Sequence, residues 1–150
     1  MISVYYAFRF CSVELSCTNI NAVYPIVRSF SDTSATITNY ETIEVFKGNK
    51  IPDISLVKCI LETGRTHQIR VHMSHKGNPI IGDQTYGKKI KKIRGVDEEF
   101  DKILKSLERQ ALHAHTLGFI HPTTNKEVFF ASELPDDLLK LQKMLKKLKN

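Results

Sequence analysis

The residues best suited to chemistry are concentrated between Leu61 and Gly87, in the segment LETGRTHQIRVHMSHKGNPIIGDQTYG. This segment holds two arginines, three histidines and four glycines. Arginines beside the start of a helix can hold phosphates or pair with a buried carboxylate, so Arg65 and Arg70 are candidate site residues. The alternative is a structural salt bridge to Glu62 or Asp83, and the residues alone leave both interpretations open.

The same segment predicts a strand, a turn and a helix that position these side chains. An apolar run ends at Leu61, and Thr63-Gly64 interrupts it. Thr66 is a suitable N-cap for a helix over residues 67–76, and Gly77 is a typical helix stop. In that helix we expect the face with Ile69 and Met73 to pack in the core. A second face, with His67, Arg70 and Ser74, is expected to line the site.

Other kinds of site are weakly supported. Six histidines are many for this length, but His72 and His75 lack the flanking Glu of a helical zinc motif, and no cysteine pair assists them. His113 and His115 share a strand face, which permits a metal without requiring one. We therefore favour hydrogen-bonded structural histidines and expect no metal. The sequence also lacks a Gly-rich phosphate loop followed by Lys-Ser/Thr and a nucleophile elbow.

Composition indicates one ordinary domain with a basic surface. The chain has 150 residues, a net charge of +6 and a pI near 9.2, which favour a polyanionic partner. Its three cysteines have neither a metal nor a redox spacing, so we expect reduced thiols in a cytoplasmic protein. We expect no membrane segment, because no apolar run approaches the length of a span.

The remaining elements alternate between strands and helices. Val4–Phe10 is an aromatic strand, and residues 36–46 and 54–62 form a hairpin around residues 48–50. Helices are predicted over residues 97–109 and from Pro135 onward, and a strand pair over residues 111–120 and 127–131. This order predicts an α+β domain with a mixed, mostly antiparallel sheet and flanking helices.

Residues 88–94 read KKIKKIR and form the strongest cationic run. Such runs are usually solvated surface, and the case for RNA contact depends on nearness to the arginine segment. The candidate RNA-binding residues are Arg65, His67, Lys88, Lys89, Lys91, Lys92 and Arg94.

The segment from Leu61 to Gly87 resembles the hallmark segment of RluA-type RNA pseudouridine synthases. Two further blocks resemble that family, RQALHA with the later HP at residues 109–122 and LPDD at residues 134–137. The resemblance extends over residues 24–148, and we treat residues 1–150 as one partial catalytic domain, incomplete at its N-terminus.

The resemblance implies a cofactor-free and metal-free isomerase that converts uridine to pseudouridine in rRNA or tRNA and flips the target base out of the RNA. Arg70 matches the arginine that pairs with the nucleophilic aspartate, keeping it ionised. Tyr5 matches a tyrosine that stacks on the base or takes a proton, although the family's Lys two residues earlier is Ser3 here. Leu61 matches an apolar contact beneath that tyrosine.

One departure from the family is decisive for activity. The family's nucleophile lies in a His-Arg-Leu-Asp motif, which this chain does not contain. We therefore expect a truncated, inactive C-terminal portion of a monomeric synthase, with Arg70 facing an empty place. The alternatives are a non-catalytic RNA-binding remnant of such an enzyme and a fragment that folds poorly.

Overall fold

The computed structural model describes residues 2–10, 23–29, 35–49, 51–87 and 97–149. In chain order the elements are β1 (Ile2–Phe10), β2 (Val23–Ser29), β3 (Ala35–Gly48), β4 (Ile51–Leu61), α1 (Gln68–His75), α2 (Glu98–Ser106), β5 (Leu112–Ile120), β6 (Glu127–Ala131) and α3 (Asp136–Leu148). The six strands form one sheet in the order β2-β3-β4-β1-β5-β6. The predicted α+β class with a mostly antiparallel sheet is confirmed, and every pair among the described strands is antiparallel.

Both predicted hairpins are present. β3 and β4 pair along their length up to the Gly48–Ile51 pair at the turn. β5 and β6 are joined by a turn in which Asn125 adopts a positive φ of 52° and donates its N–H to the carbonyl of His121. The His121 ring also accepts from the N–H groups of Thr123 and Thr124, so this histidine closes the turn.

The two faces of the sheet carry different helices. Directly opposed residues of antiparallel strands project to the same face, so the register defines each face. One face includes Phe8 and Phe46. Helix α3 contacts β3 on this face, and directly after the helix the Lys149 ammonium lies 5.9 Å from the centre of the Phe46 ring. We call the opposite side the α1 face; its members on β1, β3 and β4 include Ser3, Tyr5, Ala7, Arg9, Thr38, Tyr40, Val57, Cys59 and Leu61.

The start of α1 differs from the prediction. Thr66 does not cap the helix; the N-cap position is His67, in the left-handed region at φ 54°, and no side chain caps it. Instead the Gln68 side chain accepts a hydrogen bond from the N–H of Arg65, which closes the turn from inside the fold. The predicted stop is confirmed, because Gly77 follows the helix at φ 79°.

The other two helices begin near the predicted positions. Asp97 caps α2 by accepting from the N–H groups of Glu99 and Phe100. α3 starts after Pro135 and buries Leu138, Leu141, Met144 and Leu145 in the core. Within the described ranges, no helix combines the length and apolar character needed to cross a bilayer.

Candidate functional site

Gln68 fastens α1 to the sheet. Its side-chain N–H groups donate to the Ile37 carbonyl and to the Thr38 hydroxyl, both at 3.0 Å. Its side-chain oxygen accepts from the Thr63 hydroxyl at 2.8 Å. Gln68 is buried, and an unpaired amide there would destabilise the fold, so these bonds satisfy its hydrogen-bonding groups. They also fix the position of α1 relative to β3.

His72 makes the second attachment one helical turn later. It is 1% exposed, and its Nδ1 and Nε2 lie 2.9 Å from the Thr38 hydroxyl and 3.1 Å from the Thr36 hydroxyl. Gln68 and His72 therefore hold α1 at two points on the same strand. Neither was predicted as a site residue, although their spacing of four on one helix face was a signal that they act together.

His67, Arg70 and Ser74 lie on one side of α1, as the helical spacing predicted, and all three contact Tyr86. His67 Nδ1 lies 3.2 Å from the Tyr86 hydroxyl. The Arg70 guanidinium lies 5.1 Å from the centre of the Tyr86 ring. The Ser74 hydroxyl donates to the Tyr86 carbonyl at 2.7 Å. The loop after α1 therefore packs along the face that carries the candidate arginine, while Ile69 and Met73 are buried in the core.

Arg70 forms a bidentate ion pair with Asp83. The Nε–H donates to one carboxylate oxygen and an Nη2–H to the other, both at 2.8 Å. The Asp83 side chain is 1% exposed and that of Arg70 is 11% exposed, so water screens the pair weakly. The backbone N–H groups of Thr85 and Tyr86 also donate to Asp83, which immobilises the carboxylate.

These contacts shift both groups toward their charged forms. Burial by itself would raise the pKa of Asp83, but the hydrogen bonds from Arg70, Tyr86 and Thr85 outweigh it, and the pKa of Asp83 lies below its usual value. The hydrogen bond to Asp83 raises the pKa of Arg70. The pair is therefore ionised across the physiological pH range.

The expectation that Arg70 faces an empty place is wrong, because Asp83 occupies two of its five N–H donors. Of the two open interpretations, the structure contains the salt bridge to Asp83. The pair leaves three N–H donors of the planar guanidinium available, so Arg70 can bind a second acceptor.

Tyr5 and Leu61 share the α1 face with the anchors of the helix. Tyr5 is opposite Cys59, which is two residues from Leu61, and Leu61 is opposite Thr38. Both side chains are partly buried against the core. The register therefore places Tyr5 and Leu61 on the side of the sheet to which α1, the helix that carries Arg70, is attached.

The candidate RNA-binding residues fall into two groups. Arg65 and His67 are exposed at the start of α1. Lys88, Lys89, Lys91, Lys92 and Arg94 lie outside the described residues.

The strand histidines have a structural arrangement. His113 Nε2 and His115 Nδ1 lie 3.0 and 2.8 Å from the same acceptor, the carbonyl of Ser132. Because a carbonyl oxygen only accepts, each of these ring nitrogens carries the proton, and the contact sets the tautomer of both rings when they are neutral. Across the described ranges, no three His, Cys, Asp or Glu side chains are placed to hold a metal ion.

Asp83 follows Gly82, whose backbone packs closely against that of Arg109. Gly82 has a φ of 73°, and a side chain there would collide with the carbonyl of Arg109. Arg109 in turn makes a bidentate pair with Asp137 of α3, at 2.9 and 3.0 Å. The carboxylate that holds Arg70 is thus supported by contacts reaching the C-terminal helix.

Arg9 is an unexpected feature of the α1 face. It is fully buried; its Nε donates to the Ser55 hydroxyl at 3.0 Å and its guanidinium lies 4.9 Å from the centre of the Tyr40 ring. Its two Nη atoms have no hydrogen-bond partner in the part of the chain that the structure describes. Burial lowers the pKa of Arg9, although Tyr40 and Cys59 act in the other direction.

Sequence comparison shows consistent similarity to one family. The sequence profile of the RNA pseudouridylate synthase family matches residues 6–75. Ribosomal large subunit pseudouridine synthase D of Haemophilus influenzae is 40% identical over 110 residues, which are 73% of this chain and 32% of that protein. The protein of the same name from Zymomonas mobilis is 46% identical over 111 residues, covering 73% and 31%. The chain spans about a third of the length of these relatives.

Solved structures share the fold. Human RNA Pseudouridylate Synthase Domain Containing 1 superposes with a TM-score of 0.58 at 20% identity, covering 99% of this chain and 67% of that one. Human RNA Pseudouridylate Synthase Domain Containing 4 gives a TM-score of 0.61 at 18% identity, covering 97% and 62%. At these identities the likeness concerns the architecture alone.

Proposed function

Since the chain belongs to the RluA-type family of RNA pseudouridine synthases, we propose that it is the C-terminal portion of a catalytic domain that isomerises uridine to pseudouridine in rRNA or tRNA. In this proposal the chain supplies the arginine side of the active site and binds RNA. The nucleophilic aspartate is supplied by a segment that the chain does not contain.

The observation that carries this proposal is the fixed guanidinium of Arg70. Asp83 takes the Nε and Nη2 donors along one edge of the fork, which orients the group without using all of its hydrogen bonds. A second carboxylate at the remaining donors would be kept ionised and held in one rotamer, as a nucleophile requires. Tyr5 would then contact the flipped base, with Leu61, on the same face of the sheet, as the apolar contact beneath the tyrosine.

The 150-residue chain alone is proposed to be inactive. None of its seven aspartates lies in a His-Arg-Leu-Asp motif, and the buried carboxylate nearest to Arg70 in the structure, Asp83, is already committed to four hydrogen bonds. Reading the coding DNA upstream of Met1 tests the catalytic part of the proposal. A His-Arg-Leu-Asp segment in any frame supports it, and its absence from every frame would sink it.

The second candidate function is a non-catalytic RNA-binding remnant. It is favoured by the Arg70–Asp83 pair, because Asp83 gives Arg70 a charged partner within this chain, so that the fold does not depend on a nucleophile to neutralise the arginine. Both candidates predict RNA binding, so the upstream sequence discriminates between them.

RNA binding is tested by its salt dependence. Each phosphate neutralised contributes roughly 0.7–0.9 to the slope of log affinity against log salt. We expect a steep slope for the purified chain and a flatter one after Lys88, Lys89, Lys91 and Lys92 are all changed to Ala. A matched control changes Lys140, Lys143, Lys146 and Lys147 on α3, which should leave the slope unchanged. An equal slope in the first variant would place the RNA elsewhere, and an absence of binding would overturn the proposal.

A further inference from the structure

The α1 face continues across β1 to the edge of the sheet. Ser3 is opposite Leu117 of β5, and Leu117 is opposite Phe130 of β6. Since Ser3 and Tyr5 alternate with Val4 on β1, Phe130 projects to the same side of the sheet as Tyr5. Strands lie about 4.8 Å apart, so Phe130 is about 10 Å from the Ser3 position.

This end of the face is apolar, aromatic and open. Leu117 is 40% exposed and Phe130 is 57% exposed. The Phe119 and Phe130 rings are stacked, with centroids 6.1 Å apart and planes 22° from parallel. The α1 helix covers the β3 side of the face, whereas the β5–β6 side has no helix over these rings within the described residues.

Phe129 provides an internal comparison. It is also 57% exposed, but it is opposite Gly118 and therefore projects to the other side of the sheet. Its ring lies against Gly118, where a side chain would collide with it. The two neighbouring phenylalanines thus match in type and exposure and differ in the face they occupy.

We propose that the stacked Phe119–Phe130 pair, with Leu117 beside it, is a platform on which one or two bases flanking the target uridine stack. The inference rests on the proposed function, because it assumes that RNA enters along the α1 face. Nearly parallel aromatic rings suit the flat face of a base, and base–aromatic stacking is the usual sequence-tolerant contact to single-stranded RNA.

RNA is favoured as the occupant by continuity and charge. The rings lie on the same face of the sheet as Tyr5, the residue assigned to the target base, and α1 with Arg70 is attached to that face. The chain also carries a net charge of +6.

The test measures binding of a fluorescein-labelled single-stranded oligouridine by anisotropy, for wild type and four variants. Phe130→Ala and Phe130→Leu should each weaken binding by about fivefold or more, and Phe130→Trp should retain it, because only an aromatic ring stacks on a base. Phe129→Ala should stay within about twofold of wild type. Thermal unfolding of each variant controls for folding, and Leu keeps the apolar volume if Ala disturbs the strand.

The salt dependence separates this inference from the proposed function. Loss of stacking should lower affinity at every salt concentration and leave the slope unchanged. If wild type binds and Phe130→Leu binds equally well, the platform is overturned and the proposed function stands. The same holds if Phe129→Ala weakens binding as much as Phe130→Ala does. No binding by wild type would overturn both. Self-association lost in either phenylalanine variant would assign the rings to a protein interface and overturn the platform.

Discussion

Arg70 and Asp83 are joined by two parallel hydrogen bonds of 2.8 Å, with the carboxylate almost fully buried and also bonded to the backbone of Thr85 and Tyr86. This relationship links α1 to the loop that follows it. It fixes the guanidinium before any substrate binds, which is what a preorganised site requires. It also makes Asp83 a structural group whose removal should be costly.

We expect Asp83→Asn to lower the free energy of unfolding by about 3 kcal/mol, because it leaves Arg70 without its charged partner in a poorly screened position. Urea denaturation measures this. The control Asp101→Asn removes an exposed i,i+4 pair with Lys105 and should cost no more than about 0.5 kcal/mol. Equal losses in the two variants would show that the Arg70–Asp83 pair contributes little.

The pH dependence follows from the lowered pKa of Asp83. A carboxyl group with a lower pKa in the folded state stabilises the fold above its unfolded pKa of about 3.9. That contribution disappears as pH falls through the folded value. The difference in unfolding free energy between wild type and Asp83→Asn should therefore be constant at neutral pH and shrink below about pH 4. A difference that grows with acidification would contradict this.

Arg9→Met should stabilise the protein by about 1–3 kcal/mol. It replaces a buried charge, whose two Nη atoms have no hydrogen-bond partner among the described residues, by an apolar side chain of similar length. The same change at the well-paired Arg70 should destabilise by a similar amount. Chemical denaturation of both variants measures the change in unfolding free energy, which should be positive for Arg9→Met and negative for Arg70→Met. Destabilisation by both substitutions would mean that Arg9 has favourable contacts that offset its burial.

His72→Ala should cost about 3 kcal/mol, since it leaves two buried threonine hydroxyls without this partner. It should also speed amide hydrogen exchange in α1 ahead of global unfolding. His75→Ala changes an exposed residue of the same helix and should alter stability by less than about 0.5 kcal/mol. Unchanged exchange in His72→Ala would argue against the two-point attachment of α1.

Much of the architecture was predictable because it depends on local signals. The turn at Gly48, the stop at Gly77 and the start of α3 at Pro135 follow from residue types with narrow backbone preferences. The face of α1 with His67, Arg70 and Ser74 followed from helical periodicity. These positions are where propensity and packing agree.

The remaining features depend on contacts between distant residues. Thr66 is a residue type that often caps helices, but here the buried Gln68 side chain closes the turn by accepting from the N–H of Arg65. The choice of Asp83 over Glu62 as the partner of Arg70 depends on the path of the loop after α1. Arg9 gives no sequence signal of burial, since an arginine in an aromatic strand is ordinarily exposed.

Pseudouridine formation tests the proposed division of the active site most directly. The purified 150-residue chain would be incubated with ribosomal RNA at concentrations where binding is measured, and the nucleosides quantified by mass spectrometry. We expect bound RNA with no pseudouridine above the protein-free control, because in our proposal the chain supplies Arg70 and a segment outside it supplies the nucleophile. Pseudouridine formed by the chain, and lost in Arg70→Met, would show that its own residues complete the site and would contradict the proposal.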